Sequence, residues 1–451
     1  MQRNDRKRGS CGGIITVLFL FIAAFILITF LRDRKALKNA DLRPSVSSEK
    51  VREYLEEYID PDTRVIFAQY DGIQEDIDSW QSPEAAGMTE EERRDRAEYR
   101  LSSDYLEKEI RRALRNRERQ ICVIGLLSSE KGYMNNSAPG SGYDNSVFRT
   151  MPYSTFWMKS FEAYSGSLSS GGLWRQTWED SCYVYTFDYF DLSGEEIRDM
   201  ENRIDEAADE IIACIPPDAD LWQKCRTIHD ELVRRITYDN DSGEHCHDLY
   251  GALVEHRAVC EGYALAFRYI LNRAGEACDI VVSDWKEEAD PTAHAWNRIS
   301  APTYEEYIDV TWDDIGYTDG SGNPVVSYDY FGLTREEMTA IDDHNLGSGL
   351  FPELSEPEVF NYYRHEGYLL TEYNVWDVAE VFRRQYEAGS SCMTVRFADR
   401  QSYQTACTGL MDGGGMDQVL DVLGYYGTFW YTSNDDVCTI TVGLGSYLET
   451  G

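Results

Sequence analysis

The stretch that decides the fold runs from Gly251 to Gly275 and reads GALVEHRAVCEGYALAFRYILNRAG. After Cys260 the apolar residues recur at helical spacing, on a face made of Ala264, Phe267, Ile270, Leu271 and Ala274. This spacing predicts an amphipathic helix that starts at Cys260, with Gly275 just beyond its last turn. Cys260 is therefore expected to follow a loop and open the helix.

A cysteine at the start of a helix is favourably placed for reaction. Unpaired backbone N–H groups and the helix dipole there favour the thiolate, which is the nucleophilic form. The alternative is an inert buried thiol, because the chain holds eleven cysteines at irregular spacing and no CxxC pair. That spacing does not resemble a disulfide framework, so mostly free, buried thiols are expected.

Two segments downstream alternate in the manner of strands: HAWNRI, which starts at His294, and YEEYIDVTWDD, which contains Asp309. If a four-residue loop over 300–303 joins them as a hairpin, His294 lies opposite Asp309, with their Cβ atoms about 5 Å apart. A carboxylate in that place orients an imidazole and stabilises its protonated form. Taken singly, the histidine reads as a packed core residue and the aspartate as a turn residue.

The order GALVEHRAVCEGYA, HAWN and DVTWDD resembles the transglutaminase-like superfamily, a papain-related group that includes many bacterial exported proteins. The resemblance covers about residues 220–345. It implies a nucleophilic cysteine at the start of a core helix, a histidine on one sheet strand and an aspartate on the next. The matching positions are Cys260, His294 and Asp309.

Flanking segments also match bacterial members of the family. They are IHDELVRRITYD before the cysteine and YFGLTREEM, with Asp343 and His344, after the aspartate.

The mechanism implied by this resemblance is acyl transfer through a thioester. Cys260 attacks an amide carbonyl, His294 takes up and returns the proton, and Asp309 fixes the imidazole tautomer. The backbone N–H of Cys260 is one oxyanion donor by position. Candidates for the second donor, each with a purely structural alternative, are Tyr238, His247 and Trp296.

The predicted fold is α+β, with a papain-like, transglutaminase-like core in which the cysteine-bearing helix packs on an antiparallel sheet. Small α+β domains flank this core, and one N-terminal transmembrane helix precedes them. The expected divisions are a tail (1–13), a transmembrane helix (14–31), a stalk (32–60), an N-terminal α+β domain (61–192), the core domain (193–350) and a C-terminal α/β accessory domain (356–451).

Several elements follow from local patterns. Ser193 and Glu196 form a capping box that starts a long helix. Three aromatic-rich strands are predicted around Phe156–Tyr164, Leu173–Trp178 and Cys182–Phe190, with a Gly/Ser hairpin loop between the first two.

The apolar run from Ile14 to Leu31 contains no charged residue. As a helix it reaches about 27 Å, close to the thickness of the hydrocarbon core of a bilayer. A cleaved signal peptide is disfavoured because no small-residue cleavage site follows, and a buried core helix is the other alternative. We expect a single-pass membrane protein with a cytoplasmic N-terminus and an extracellular catalytic body.

The formal net charge of −37 divides into +4 over residues 1–32 and −41 over the remainder. A body this acidic lacks the basic surface that phosphate binding needs, which excludes nucleic acid as a partner. The expected partners are a protein or peptide substrate at the cell surface and, through the N-terminal helix, the membrane.

No metal or cofactor is predicted. The sequence His245-Cys246-His247 lacks zinc spacing, and Asp313-Asp314 does not match a calcium loop. His229 is expected to be a hydrogen-bonded core residue. Trp296 and Trp312 either wall a cleft that excludes water or fill the core between sheet and helix, and the core is favoured for Trp312.

Two classes of function fit the sequence. The first is a cysteine peptidase, amidase or protein-glutamine acyltransferase, in which water or an amine takes the acyl group; hydrolysis is favoured slightly. The second is a non-catalytic surface interaction protein that uses the same fold as a scaffold. Retention of all three site residues favours the enzyme.

Overall fold

The computed structural model describes residues 48–68, 105–106, 108–124, 157–172, 175–239, 243–283, 294–301, 304–318, 322–342, 344, 360–445 and 448–449. The predicted transmembrane segment at 14–31 lies outside these residues. Among the residues described, no helix is both long and apolar enough to cross a bilayer.

The N-terminal region contains a four-stranded sheet in the order β1-β2-β4-β3. Its strands are β1 (Arg64–Phe67), β2 (Gln120–Ile124), β3 (Met158–Gly172) and β4 (Arg175–Tyr189). The prediction of three strands after residue 156 is wrong, because β3 and β4 form one long hairpin. The Gly/Ser run belongs to β3 rather than to a loop, since Ser167 pairs with Ser181 and Ser169 with Glu179.

A helix, α1 (Ser48–Tyr54), lies within the segment predicted as a stalk. Its Val51 and the following Leu55 are buried against Cys122 and Cys182 of the N-terminal sheet. The folded body therefore begins before residue 60, since two apolar residues four apart are enough to pack a short helix on the sheet.

The central region carries three longer helices and an antiparallel sheet in the order β12-β9-β8-β7. Its helices are α2 (Gly194–Ile212), α3 (Leu221–Arg235), α4 (Cys260–Arg273), α5 (Val310–Asp313) and α6 (Arg335–Thr339). Its strands are β5 (Thr237–Tyr238), β6 (Arg257–Ala258), β7 (Cys278–Val282), β8 (Ala295–Ala301), β9 (Tyr304–Ile308), β10 (Asp314–Thr318), β11 (Pro324–Val326) and β12 (Phe331–Leu333). The capping box predicted at Ser193 and Glu196 is confirmed.

Helix α4 packs on this sheet and so fixes the start of the helix relative to the strands. Phe267 of α4 is fully buried in one apolar cluster with Ile299 of β8 and Ile308 of β9. The side-chain amide of Asn297 donates to the carbonyl of Ala264 at 3.0 Å, which ties β8 to the helix backbone. The mixed α and β content of the core is as predicted.

The C-terminal region contains a third four-stranded sheet, in the order β13-β14-β16-β15. Its helices are α7 (Tyr362–Glu366), α8 (Val375–Glu387), α9 (Arg400–Cys407) and α10 (Gly415–Leu423). Its strands are β13 (Leu369–Leu370), β14 (Cys392–Phe397), β15 (Phe429–Asn434), β16 (Thr439–Leu444) and β17 (Leu448–Glu449).

The region predicted as an accessory domain shares one buried apolar cluster with the central region. Polar contacts cross the same boundary: the Trp222 indole donates to the carbonyl of Phe360 at 3.0 Å, and the Thr439 hydroxyl to Asp329 at 2.9 Å. Packing of this kind makes the C-terminal sheet a support for the central one.

Candidate active site

Cys260 is the first residue of α4 and is partly exposed. The chain enters the helix from β6, which pairs in parallel with β5, and the preceding Val259 is extended and makes no side-chain cap. The first N–H groups of a helix have no intrahelical acceptor and carry its positive dipole end. The predicted position of the thiol at a helix start is thus confirmed.

Gly262, two residues after Cys260, allows the chain to pass closely from β6 into α4. A Cβ at Gly262 would lie 2.7 Å from the Cβ of Ala258 and 2.8 Å from the carbonyl oxygen of Cys246. The first turn of α4 is therefore pressed against β6 and the loop around Cys246, so the backbone next to Cys260 has little room to move.

The hairpin that carries the histidine and the aspartate has a different register from the predicted one. Arg298 lies opposite Tyr307, two residues away from the predicted pairing, because residues 302–303 alone separate β8 from β9. A shift of two residues preserves which face each side chain occupies. His294 precedes β8, and Asp309 leaves β9 to cap α5, so the two meet at the end of the hairpin.

His294 and Asp309 are joined by a hydrogen bond of 2.5 Å between Nε2 and Oδ2. Asp309 is fully buried, and its Oδ1 accepts the backbone N–H groups of Thr311 and Trp312 at 3.0 and 3.2 Å. Burial opposes ionisation of Asp309, but His294 and His344 outweigh it and hold the pKa of this carboxyl well below its usual range. Asp309 is thus an ionised, fixed acceptor.

His294 also interacts with Cys260. Burial lowers the pKa of His294, whereas the charge and hydrogen bond of Asp309, followed by the interaction with Cys260, raise it to about 10. The His294 side chain is 11% exposed, so it is nearly but not fully enclosed. The structure brings together the three residues predicted for the site.

A fourth residue at the site was not assigned a role from the sequence. His344 is fully buried, and its Nε2 lies 2.8 Å from the same Asp309 Oδ2 that accepts from His294. The motif containing His344 was noted as part of the family resemblance, but nothing local signals a contact with a residue 35 positions earlier.

His294, Asp309 and His344 offer the donor set of a zinc site, with ligand atoms within 4.8 Å of one another. Ligands about 2.1 Å from a tetrahedral ion stand about 3.4 Å apart. The separations of 2.5 and 2.8 Å at Asp309 Oδ2 are instead those of charge-assisted hydrogen bonds. The cluster is arranged for hydrogen bonding.

The other metal-like patterns have separate partners. His245 bonds Asp248 at 2.7 Å, and His247 bonds Glu261 at 3.3 Å, so the two rings do not share an acceptor. The consecutive carboxylates also diverge: Asp313 bonds His229, and Asp314 accepts from the Tyr263 hydroxyl.

Burial decides between the aromatic residues proposed near the site. Trp296 is 1% exposed and its indole nitrogen is buried, which removes it as an oxyanion donor. Trp312 is half-buried at the core edge, and its ring lies 5.5 Å from that of His294, so it packs on the core and also borders the site. Tyr238 and His247 are exposed, and both candidates stand.

His229 is a hydrogen-bonded core residue, as predicted. It is fully buried, and its two ring nitrogens lie 3.2 Å from Asp230 and 3.1 Å from Asp313.

Among known families, the transglutaminase-like superfamily model matches residues 206–311, a span that holds Cys260, His294 and Asp309. Comparison with curated proteins gives no match.

The solved structures similar to this chain include a TGase, with 14% identity over 43% of this chain and 51% of that one and a TM-score of 0.22. A "putative cysteine protease" from Cytophaga hutchinsonii has 12% identity over 38% of this chain and 70% of that one, with a TM-score of 0.21. Menin, described with its binding site for Mixed Lineage Leukemia protein, has 17% identity over 52% of this chain and 46% of that one, with a TM-score of 0.21. The chain spans about half the length of the first of these, at 51%, and such TM-scores do not extend the likeness to the whole molecule. On the family match, residues 206–311 of this chain form a transglutaminase-like domain.

Proposed function

We propose that this protein is a cysteine acyl-transfer enzyme in which Cys260 is the nucleophile, His294 the general acid and base, and Asp309 the residue that orients the imidazole. The observation that carries the proposal is the position of His294, which bonds the buried Asp309 carboxylate and is close enough to the partly exposed Cys260 thiol at the start of α4 for that thiol to raise its pKa. This is the relation of nucleophile, base and orienting group that covalent catalysis requires.

In the proposed reaction the Cys260 proton already resides on His294, whose raised pKa favours the imidazolium, and the sulfur forms a bond to an amide carbonyl carbon. The tetrahedral oxyanion is stabilised by the N–H of Cys260 at the positive end of α4. Collapse breaks the C–N bond, and His294 returns the proton to the departing amine. Water or a second amine then attacks the thioester, which gives hydrolysis or transfer.

The substrate class in this proposal is a protein or peptide amide at the cell surface, with the enzyme held there by the segment at 14–31. The charge of −41 beyond residue 32 would steer cationic substrates toward the body. Turnover of basic peptides should then fall with rising salt more than turnover of acidic ones. Equal salt dependence would remove the steering claim and leave the chemistry untouched.

The first test measures the rate at which iodoacetamide alkylates individual cysteines of the purified protein, read by mass spectrometry. Cys407 is the matched control, because it is also partly exposed but lies at the C-terminal end of its helix. Cys260 should react much faster than Cys407 near neutral pH, and His294→Ala should abolish the difference. Equal rates in the wild type would overturn the assignment of the nucleophile.

The second test offers amide substrates with and without a primary amine acceptor and follows both released amine and acyl product. Hydrolysis gives a free acid in either case, whereas transfer gives a new amide only with the acceptor. A Cys260→Ala variant must lose both products. If no amide is turned over although Cys260 is selectively reactive, the interaction scaffold becomes the better hypothesis.

A further inference from the structure

His344 makes its strongest contact with the residue that orients the proposed base. Asp309 Oδ2 receives His294 Nε2 at 2.5 Å and His344 Nε2 at 2.8 Å, while Oδ1 receives the two backbone N–H groups of α5. Four donors therefore surround the carboxylate. Since a carboxylate only accepts, His344 must carry its proton on Nε2 in this arrangement.

The ring of His344 has little freedom to move away from Asp309. It is fully buried, and its centroid lies 4.5 Å from Trp312, 4.8 Å from Trp296 and 5.9 Å from Tyr330. Its Nδ1 is 3.3 Å from the carbonyl oxygen of Asp342, so backbone also encloses the ring from the other side. An imidazole enclosed in this way acts as a rigid support for the carboxylate.

The χ2 torsion of an aspartate is broad, so the orientation of the Asp309 carboxylate depends on the donors at both oxygens. The backbone N–H groups of Thr311 and Trp312 hold Oδ1, and His344 is a second donor that restrains Oδ2 beside His294. The His294 ring, whose centroid is 5.0 Å from that of His344, is then held by an acceptor that cannot swing.

We propose that His344 is a positioning residue for the reaction, which locks Asp309 so that His294 presents its other ring nitrogen to Cys260. This inference rests on the proposed function, since it assigns a role within the same site. His344 touches neither the thiol nor the substrate in this proposal, and its effect passes through Asp309.

The experiment compares His344→Ala and His344→Gln with His229→Gln. His229 is the matched control because it is an equally buried histidine of the same region that hydrogen-bonds carboxylates without contacting Asp309. For each folded variant we would measure kcat and KM on the amide found in the product assay, the iodoacetamide rate at Cys260 and the melting temperature. A misplacement of about 1 Å at a reacting group can cost about 100-fold in rate.

We expect His344→Ala to lower kcat and the alkylation rate at Cys260 by about 10- to 100-fold with KM little changed. Added imidazole should restore part of the rate by filling the vacated space. His344→Gln keeps an N–H donor and should fall between the wild type and His344→Ala. His229→Gln should lower the melting temperature and leave kcat of the folded fraction nearly unchanged.

The inference is overturned if folded His344→Ala or His344→Gln keeps the wild-type kcat and alkylation rate, whatever happens to the melting temperature. It is also overturned if His229→Gln lowers kcat as much as the His344 variants do. Failure of the proposed function looks different, because Cys260→Ala and His294→Ala would then retain activity. The two failures are therefore read from different variants.

Discussion

The central region contains two buried centres in which histidine meets carboxylate, and they differ in what surrounds the imidazole. In the first, His229 on α3 lies between Asp230 and Asp313. Burial lowers the pKa of His229, but the hydrogen bonds to these two carboxylates raise it to about 9. We call this the His229 centre.

In the second, one carboxylate, that of Asp309, accepts hydrogen bonds from two histidines, His294 and His344. We call this the Asp309 centre. His294 also has a raised pKa, about 10, so titration behaviour does not distinguish the two centres. What distinguishes them is access. His294 keeps an exposed edge and a thiol partner, whereas His229 is sealed between Tyr328 and Phe331.

A histidine with a perturbed pKa marks a functional site only when a reactive partner and a route for substrate accompany it. Four measurements test whether the division between a chemical centre and a structural one holds.

The largest effect is expected for His294→Ala. Loss of the base leaves the Cys260 thiol without a proton acceptor, so kcat/KM should fall at least about 10³-fold, or about 4 kcal/mol in transition-state free energy. Steady-state kinetics on the purified variant, with circular dichroism to show that it is folded, would measure this. Activity within tenfold of the wild type would mean that the Asp309 centre is not the chemical centre of the protein.

His229→Ala should act on stability instead. Removal of one partner from a buried ion pair leaves Asp313 uncompensated, and the expected cost is about 3–5 kcal/mol in the free energy of unfolding. Chemical denaturation monitored by tryptophan fluorescence gives this value. An unchanged unfolding free energy would show that the carboxylates around His229 find other partners and that the centre is not structural.

The sequence predicted the nucleophile more securely than its partners. Cys260 could be placed because the apolar face of α4 repeats over four turns and Gly275, with φ of +90°, ends it as predicted. Such local periodicity needs no knowledge of distant chain. The pairing of His294 with Asp309 was right for an incomplete reason, since both the loop length and the register differ from those predicted.

Contacts made across long sequence separations escaped prediction. His344 reaches Asp309 only because the chain passes through β10, β11 and β12 before it returns to the site. The shared core of the central and C-terminal regions arises in the same way, from contacts such as Trp222 to Phe360. Periodicity identifies the face that is buried but not the element that covers it.

The third prediction uses pH to separate the His229 centre from the rest. The pKa of His229 rises from 6.5 to about 9 on folding, so the folded protein holds a proton that the unfolded chain lacks between these values. Protonated His229 contributes about 3 kcal/mol to the free energy of unfolding; this contribution is complete below pH 6.5 and is lost as the pH rises through 9. The pKa values of His294 and Glu306 are raised to about 10 and about 9, so these groups also lower the free energy of unfolding as the pH rises.

The difference between wild type and His229→Gln isolates this contribution. Unfolding free energies measured at several pH values should fall more steeply for the wild type between pH 6.5 and 9, so the gap between the two proteins should narrow. A constant gap over that range would mean that His229 is neutral in the folded protein and that its bonds to carboxylates are uncharged.

The smallest effect concerns the backbone beneath the nucleophile, a feature that the His229 centre does not share. In Gly262→Ala the new Cβ would meet the Ala258 Cβ at 2.7 Å and the Cys246 carbonyl at 2.8 Å, so strand or loop must shift. Overpacking of this kind costs about 1–3 kcal/mol. Because the shift moves the first turn of α4, the alkylation rate of Cys260 should fall as well.

Gly194→Ala is the control for that variant. It also changes a glycine at a helix start, but its Cβ would meet nothing closer than a flexible arginine nitrogen at 3.7 Å. Its melting temperature should match or slightly exceed that of the wild type, since alanine favours the helix. If Gly262→Ala were equally harmless to melting temperature and alkylation rate, the close packing at Gly262 would not be what aims Cys260. The orientation of the thiol would then depend on His294 and not on the packing of the first turn of α4. The Asp309 centre would in that case be no more sensitive to small backbone shifts than the His229 centre.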